Sequence, residues 1–132
     1  MKILLDTSFI ISAMRSRIDI IPELRKFGSP VLYVLNLVVQ ELESLATGRG
    51  RKAMNSRLSL RFVEREGVHI IKTSGGQTDS EIVTYATNRK MVVCTVDRVL
   101  KRTLLRRGTK VITIRQGKYL VLVQTRQRVD KG

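Results

Sequence analysis

Lys2-Ile3-Leu4-Leu5-Asp6-Thr7-Ser8-Phe9-Ile10-Ile11-Ser12-Ala13-Met14 opens the chain. A short apolar run, Lys2–Leu5, stops at a carboxylate, and Thr7 or Ser8 can cap a helix through Phe9–Met14. A strand that passes straight into a helix is the first half of a βα unit, and the same grammar recurs downstream. Pro22 and Gly28 bracket a second helical piece, Ile18–Phe27. Ser29-Pro30 then introduces Val31–Leu35, a run rich in β-formers. Asn36 can cap Leu37–Thr47, whose apolar Val38, Leu42 and Leu45 recur at helical spacing. After Gly48-Arg49-Gly50, a long helix is expected over Arg51–Glu66, with Met54, Leu58 and Phe62 as its buried stripe.

Gly67 ends that helix, Val68–Ile71 reads as a strand, and Thr73–Gln77 is a Ser/Gly loop. Thr78 can cap a helix to Asn88, Met91–Thr95 is a strand, and Asp97–Arg107 is a basic helix closed by Gly108. Lys110–Arg115 and Tyr119–Val123 flank a Gln116-Gly117 turn and form a hairpin. Strands alternating with helices predict an α/β three-layer sandwich with a mainly parallel central sheet and this C-terminal hairpin. One domain is expected over residues 1–125, followed by a basic polar tail, 126–132.

The chain has 132 residues, 25 Lys+Arg and 11 Asp+Glu, a net charge of +14. With 42% hydrophobic residues a core can form, which excludes a disordered basic tail as the whole protein. No apolar run is long enough to span a bilayer, and one cysteine, Cys94, excludes a disulfide framework or a Cys-based zinc site. The expectation is a soluble cytoplasmic protein. The excess charge does not help the fold, because self-repulsion opposes compaction; it points to a polyanionic partner, foremost nucleic acid.

In parallel α/β folds, ligands collect beyond the C-terminal ends of the strands. This basic chain places acids there. Asp6 follows the first strand, Asp97 lies just past Met91–Thr95, Asp79 opens the helix after the Ser/Gly loop, and Glu41 sits a turn into the helix after Val31–Leu35. Each Asp alone could be a helix cap or first-turn acid, and Glu41 alone a solvated residue. Four together repel and desolvate one another, so protons or a cation must offset the charge. An all-oxygen donor set selects Mg²⁺ or Mn²⁺ over zinc. Such ions activate water and stabilise a phosphodiester transition state.

At these residues the chain resembles the PIN-domain ribonucleases, over nearly its whole length. The matching stretches are Leu4-Leu5-Asp6-Thr7-Ser8, Val38-Val39-Gln40-Glu41-Leu42, Thr78-Asp79-Ser80-Glu81-Ile82-Val83-Thr84-Tyr85-Ala86 and Val92-Val93-Cys94-Thr95-Val96-Asp97-Arg98-Val99-Leu100. The resemblance implies a metal-dependent endoribonuclease with Asp6, Glu41, Asp79 and Asp97 as catalytic metal ligands. Thr95, and Thr7 or Ser8, would support that cluster by hydrogen bonds; the family commonly carries Asn where this chain has Ser8. The ending Gly108–Leu120 looks like archaeal and eukaryotic PIN proteins of small-subunit ribosomal-RNA processing. VapC-type toxins share the core motifs and are paired with an antitoxin. The implied partners are RNA (rRNA or tRNA), an antitoxin or ribosome-assembly partner, and a second copy through Val38 and Leu42 or the helices Phe9–Met14 and Ile18–Phe27; no membrane is implied.

Two basic runs can hold the RNA backbone. One contains Arg49, Arg51 and Lys52; the other contains Arg98, Lys101 and Arg102, which share one helical face beside Asp97. Three Phe, three Tyr and no Trp leave little for base stacking. Glu43 and Glu81 lie two residues from cluster members and point elsewhere, His69 is structural, and Gly75-Gly76 lacks the Lys-Ser/Thr of a P-loop. Two competing readings remain. One is an RNA-binding assembly factor that does not cut. The other is a phosphoacceptor receiver domain, disfavoured because only Asp6 follows the first strand.

Overall fold

A computed structural model describes residues 1–125; the basic tail, 126–132, lies outside the described residues. Its elements run β1 (Lys2–Leu5), α1 (Thr7–Arg15), α2 (Ile20–Arg25), β2 (Val31–Leu35), α3 (Asn36–Ala46), α4 (Arg51–Arg65), β3 (His69–Ile71), α5 (Thr78–Arg89), β4 (Val92–Cys94), α6 (Arg98–Arg106), β5 (Val111–Arg115) and β6 (Tyr119–Val123). The six strands form one sheet in the order β3-β2-β1-β4-β5-β6. Every neighbouring pair is parallel except the β5–β6 hairpin.

The expected α/β sandwich is therefore present. Helices α1, α3 and α4 pack on one another, and α5 packs on α6. The inner strands β1 and β4 read as near-continuous apolar runs because helices cover both faces, as a parallel sheet requires. Ile3, Leu4, Leu5, Val93 and Cys94 have no exposed surface. One core cluster reaches from Ile3 to Leu120, so the C-terminal hairpin shares it. Glu23 fastens that hairpin from α2, since its Oε1 accepts the Leu120 N–H at 2.9 Å while pairing with Lys26 at 2.9 Å.

Chain order turns back at the centre of the sheet. From β1 the chain builds outward through β2 to β3, then returns to place β4 on the other side of β1. That reversal opens a crevice at the C-terminal ends of β1 and β4, where open α/β sheets bind ligands. The Asp6 N–H donates to the Cys94 carbonyl at 3.0 Å and joins the two strand ends just below the crevice.

Several local expectations shift. Helix α4 does not bury a Met54-Leu58-Phe62 stripe, for Met54 is 50% and Leu58 38% exposed. Its inner face is Ala53, Asn55, Ser56, Ser59, Phe62 and Val63. Small residues let α3 and α4 approach closely, and the Ser56 and Ser59 hydroxyls satisfy themselves on the carbonyls of Lys52 and Asn55, both at 2.7 Å. Helix α2 is shorter than Ile18–Phe27, with Pro22 inside its first turn. Asn36 does not cap its own helix; its Oδ1 accepts from the Thr73 N–H and hydroxyl, both at 3.0 Å. Val38 and Leu42 lie fully buried, so the first of the two expected dimer faces cannot form.

The Ser/Gly loop is anchored at its start by that Asn36–Thr73 clasp and at its end by α5. Gly76 has φ +98°, and a Cβ there would stand 2.9 Å from Glu81 Oε1. Gly76→Ala is expected to cost about 1 kcal/mol or more, from the left-handed backbone and the displaced carboxylate. Chemical denaturation of the variant beside its parent measures this.

Candidate active site

Asp6 sits at the end of β1 and occupies the N-cap position of α1, yet its side chain makes no capping hydrogen bond. Its Oδ2 instead accepts the Ser8 hydroxyl at 2.7 Å and the Thr95 hydroxyl at 2.8 Å. Thr95 is fully buried, and its Oγ1 also accepts the Asp97 N–H at 3.1 Å. The Ser8 hydroxyl accepts the Val96 N–H at 3.3 Å and lies 3.3 Å from Thr95 Oγ1. Two hydroxyls from two different strand ends thus fix one carboxylate rotamer.

Both Ser8 and Thr95 therefore take the supporting positions expected of them, and a serine hydroxyl does so where the family commonly carries Asn. Thr7 does not share that role: its hydroxyl is buried with no hydrogen-bond partner. The helical frame explains the choice, since Thr7 and Ser8 are adjacent in α1 and point to different faces.

Asp97 is the N-cap of α6, where its Oδ1 accepts the N–H groups of Val99 at 2.9 Å and Leu100 at 3.0 Å. Capping thus accounts for one oxygen of Asp97; the other takes no hydrogen bond among the described residues. Asp79 lies in the first turn of α5 and Glu41 on α3, both exposed.

Electrostatics tie the four together. Burial pushes the Asp6 carboxyl above its ordinary 3.8, against the pull of the Ser8 and Thr95 hydroxyls and the Thr7 N–H, and the charge of Glu41 adds a smaller push upward. Partial burial and the charges of Asp6 and Asp97 raise Asp79 in the same direction. Each acid is thus within electrostatic reach of at least one other. In a chain of net charge +14, none of the four has a cationic partner among the described residues; the ion pairs there are Glu23–Lys26 and Arg65–Glu66. As the side chains stand, no three His, Cys, Asp or Glu among the described residues are grouped closely enough to hold a metal ion. The donor chemistry nevertheless fits a hard divalent cation: oxygen ligands only, uncompensated charge, and one carboxylate pre-oriented at a strand end.

A raised carboxyl holds its proton longer in the folded chain than in the unfolded one. The contribution of Asp6 and Asp79 to stability therefore falls as pH rises through the window just above 3.8. The thermal midpoint of Asp6→Asn should accordingly gain on the parent as pH rises from mildly acidic to neutral in metal-free buffer. Added Mn²⁺ should raise the parent's midpoint more at neutral than at acidic pH. Thermal unfolding across that range checks both.

The basic runs fall on different layers. Arg49, Arg51 and Lys52 are exposed around the start of α4, while Arg98 and Arg102 are exposed on α6, with Lys101 half-buried between them. Arg98 follows Asp97 directly, so the α6 run begins at the rim of the crevice. His69 is exposed on β3, an edge strand, and its ring lies tilted against Tyr33 with centroids 5.1 Å apart. Sequence reasoning missed the Asn36–Thr73 clasp, because an Asn before a helical run reads as a cap.

A mainly parallel sheet whose chain order reverses between β1 and β4, with an acid just past each of those strands, can be set against known families. Residues 3–117 match the PIN-like domain family, and the chain belongs to it. Ribonuclease VapC4 of Methanocaldococcus jannaschii is 26% identical over 122 residues, covering 89% of this chain and 93% of its own. Ribonuclease VapC9 of Archaeoglobus fulgidus is 26% identical over 114 residues, covering 86% and 82%. Among solved structures, the PIN domain endonuclease Utp24 superposes with a TM-score of 0.81 at 22% identity, covering 98% of this chain and 96% of that one. VapBC-1 from nontypeable Haemophilus influenzae gives 0.57 at 21% identity, covering 79% and 92%. Among the described residues no helix is long and apolar enough to cross a membrane.

Proposed function

We propose that this chain is a metal-dependent endoribonuclease, a single PIN-like domain over residues 1–125 that cleaves RNA phosphodiester bonds. The observation that carries the reading is four carboxylates each within electrostatic reach of another, two of them at strand ends, without cationic partners among the described residues in a chain otherwise strongly basic. The ribonuclease relatives support the same substrate class.

Asp6, Asp79, Asp97 and Glu41 would hold Mg²⁺ or Mn²⁺, and Asp6 is the residue already locked in place. A bound ion in such a site supplies an activated water and charge stabilisation on the phosphorus. Thr95 and Ser8 keep the Asp6 carboxylate from rotating away. Asp97 caps α6 through Oδ1, so its position is pinned by the helix it starts, and its other oxygen takes no hydrogen bond among the described residues. Arg98 and Arg102, exposed next to it, are placed to hold RNA phosphates.

The biological setting that we favour is ribosomal-RNA processing. The C-terminal hairpin behind that resemblance is present as β5–β6. The 26% identity to VapC ribonucleases favours, as a second reading, a toxin held by an antitoxin. Incubation of a structured RNA with the protein, in Mn²⁺ and in EDTA, tests the activity. Cleavage is expected with Mn²⁺ alone. Cutting that persists in EDTA or in an Asp6→Asn/Asp97→Asn double variant would reject the mechanism. Binding without any cutting would favour the assembly factor.

A further inference from the structure

At the edge of the sheet opposite the acidic crevice, a second feature is built from the starts of β4 and β5 and the ends of α5 and α6. A cavity of about 520 Å³ opens there, and its wall includes Lys90, Arg107, Lys110, Thr87, Gly108 and Thr109. Three side chains of one charge surround it, and no carboxylate lines it. None of the three cations is in an ion pair among the described residues.

The simplest alternative is that these cations only balance the negative ends of two helices. The hydrogen bonding argues against that. The Ala86 carbonyl already accepts the N–H groups of Lys90 and Met91. The Leu104 carbonyl accepts those of Arg107 and Thr109. The Leu105 carbonyl accepts the Gly108 N–H and the Thr125 hydroxyl. These three carbonyls of the final turns are therefore satisfied without any of the three side chains.

One more observation bears on the cavity. Lys90 holds the left-handed backbone at φ 52°, ψ 47°, a conformation in which glycine is the low-strain choice. Gly108 fills the equivalent position after α6 at φ +78°. Where glycine would do, the chain spends strain on a lysine whose ammonium helps line a cationic cavity.

We propose that this cavity is a phosphate-binding site, distinct from the acidic crevice, with Lys90, Arg107 and Lys110 supplying charge and charge-assisted hydrogen bonds. A phosphate neutralises like charges that otherwise repel, and its oxygens accept from ammonium and guanidinium groups alike. The phosphate comes either from a nucleic-acid backbone or from a free phosphate ester. This inference does not rest on the hydrolytic reading, since it concerns binding without a metal.

Full-length protein in EDTA tests it by two titrations, with inorganic phosphate followed by backbone amide NMR at constant ionic strength, and with a labelled short oligouridine followed by fluorescence anisotropy at several salt concentrations. Lys90→Gly suits the left-handed backbone, so the Lys90→Gly/Lys110→Gln variant should fold with a thermal midpoint close to the parent's. Saturable shifts at Thr87, Lys90, Gly108 and Thr109 are expected in the parent and absent in the variant. If the source is nucleic acid, the variant also loses about tenfold in oligouridine affinity, and the salt slope falls by about one per removed cation. If only the phosphate arm responds, the ligand is a free phosphate ester. Absence of saturable shifts in the parent overturns the site, whatever the oligouridine arm shows. So does unchanged phosphate binding by the variant.

Discussion

Asp6→Asn is expected to lower RNA cleavage by about a hundred- to a thousandfold while leaving the metal-free protein at least as stable as its parent at neutral pH. The two halves of this expectation have one cause. Asp6 is only 4% exposed and has no cationic neighbour among the described residues, so its charge is costly to keep. Asn keeps a carbonyl oxygen to accept from Ser8 and Thr95, and it removes both the desolvated charge and the repulsion from Glu41. A site retained against stability is what a cation-dependent function predicts. Single-turnover cleavage together with thermal unfolding measures both. If Asp6→Asn lost stability and activity in parallel, Asp6 would be structural rather than a ligand.

The second large effect falls on Thr95. Thr95→Val keeps the shape of a fully buried side chain but deletes its hydroxyl. The Asp6 Oδ2 loses one of its two hydroxyl donors, and the Asp97 N–H loses its acceptor. A charge-assisted bond and an orphaned donor together are expected to cost about 2–3 kcal/mol. Loosening Asp6 and Asp97 at once should also reduce cleavage by about ten- to a hundredfold. Thr95→Ser should restore most of the activity, because it returns the hydroxyl while giving up only a methyl group. Rescue by Ser separates the hydrogen bond from simple packing; failure of Ser to rescue would assign Thr95 to the core alone.

Much of this architecture could be read in the chain because strand ends are punctuated by polar residues. Leu5-Asp6 and Thr95-Val96-Asp97 each mark the point where a buried strand leaves the sheet, and the structure joins them through the Asp6 N–H to the Cys94 carbonyl. The pairing of Thr95 with Asp6 spans 89 residues and follows from the parallel register of β1 with β4. No local pattern contains that register. Helix α4 departs from its pattern for the opposite reason. Beside Phe62 and Val63 its buried face is alanine, serine and asparagine, which periodicity counts as polar or neutral, while Met54 and Leu58 face outward. Thr7 and Ser8 were equivalent as letters, and only the helical frame put Ser8 on Asp6. The cationic cavity was beyond reach as well, since Lys90, Arg107 and Lys110 come together only when two helix ends meet at two strand starts.

The central claim is that the acids at the ends of β1 and β4 gather around a divalent ion. Diffraction from crystals soaked in Mn²⁺, recorded for the anomalous signal of manganese, tests it most directly. The account predicts a peak in the crevice within ligand distance of Asp6 and at least one of Asp79, Asp97 and Glu41, absent from Asp6→Asn crystals. A crevice without manganese in a parent protein that still cleaves RNA would contradict it.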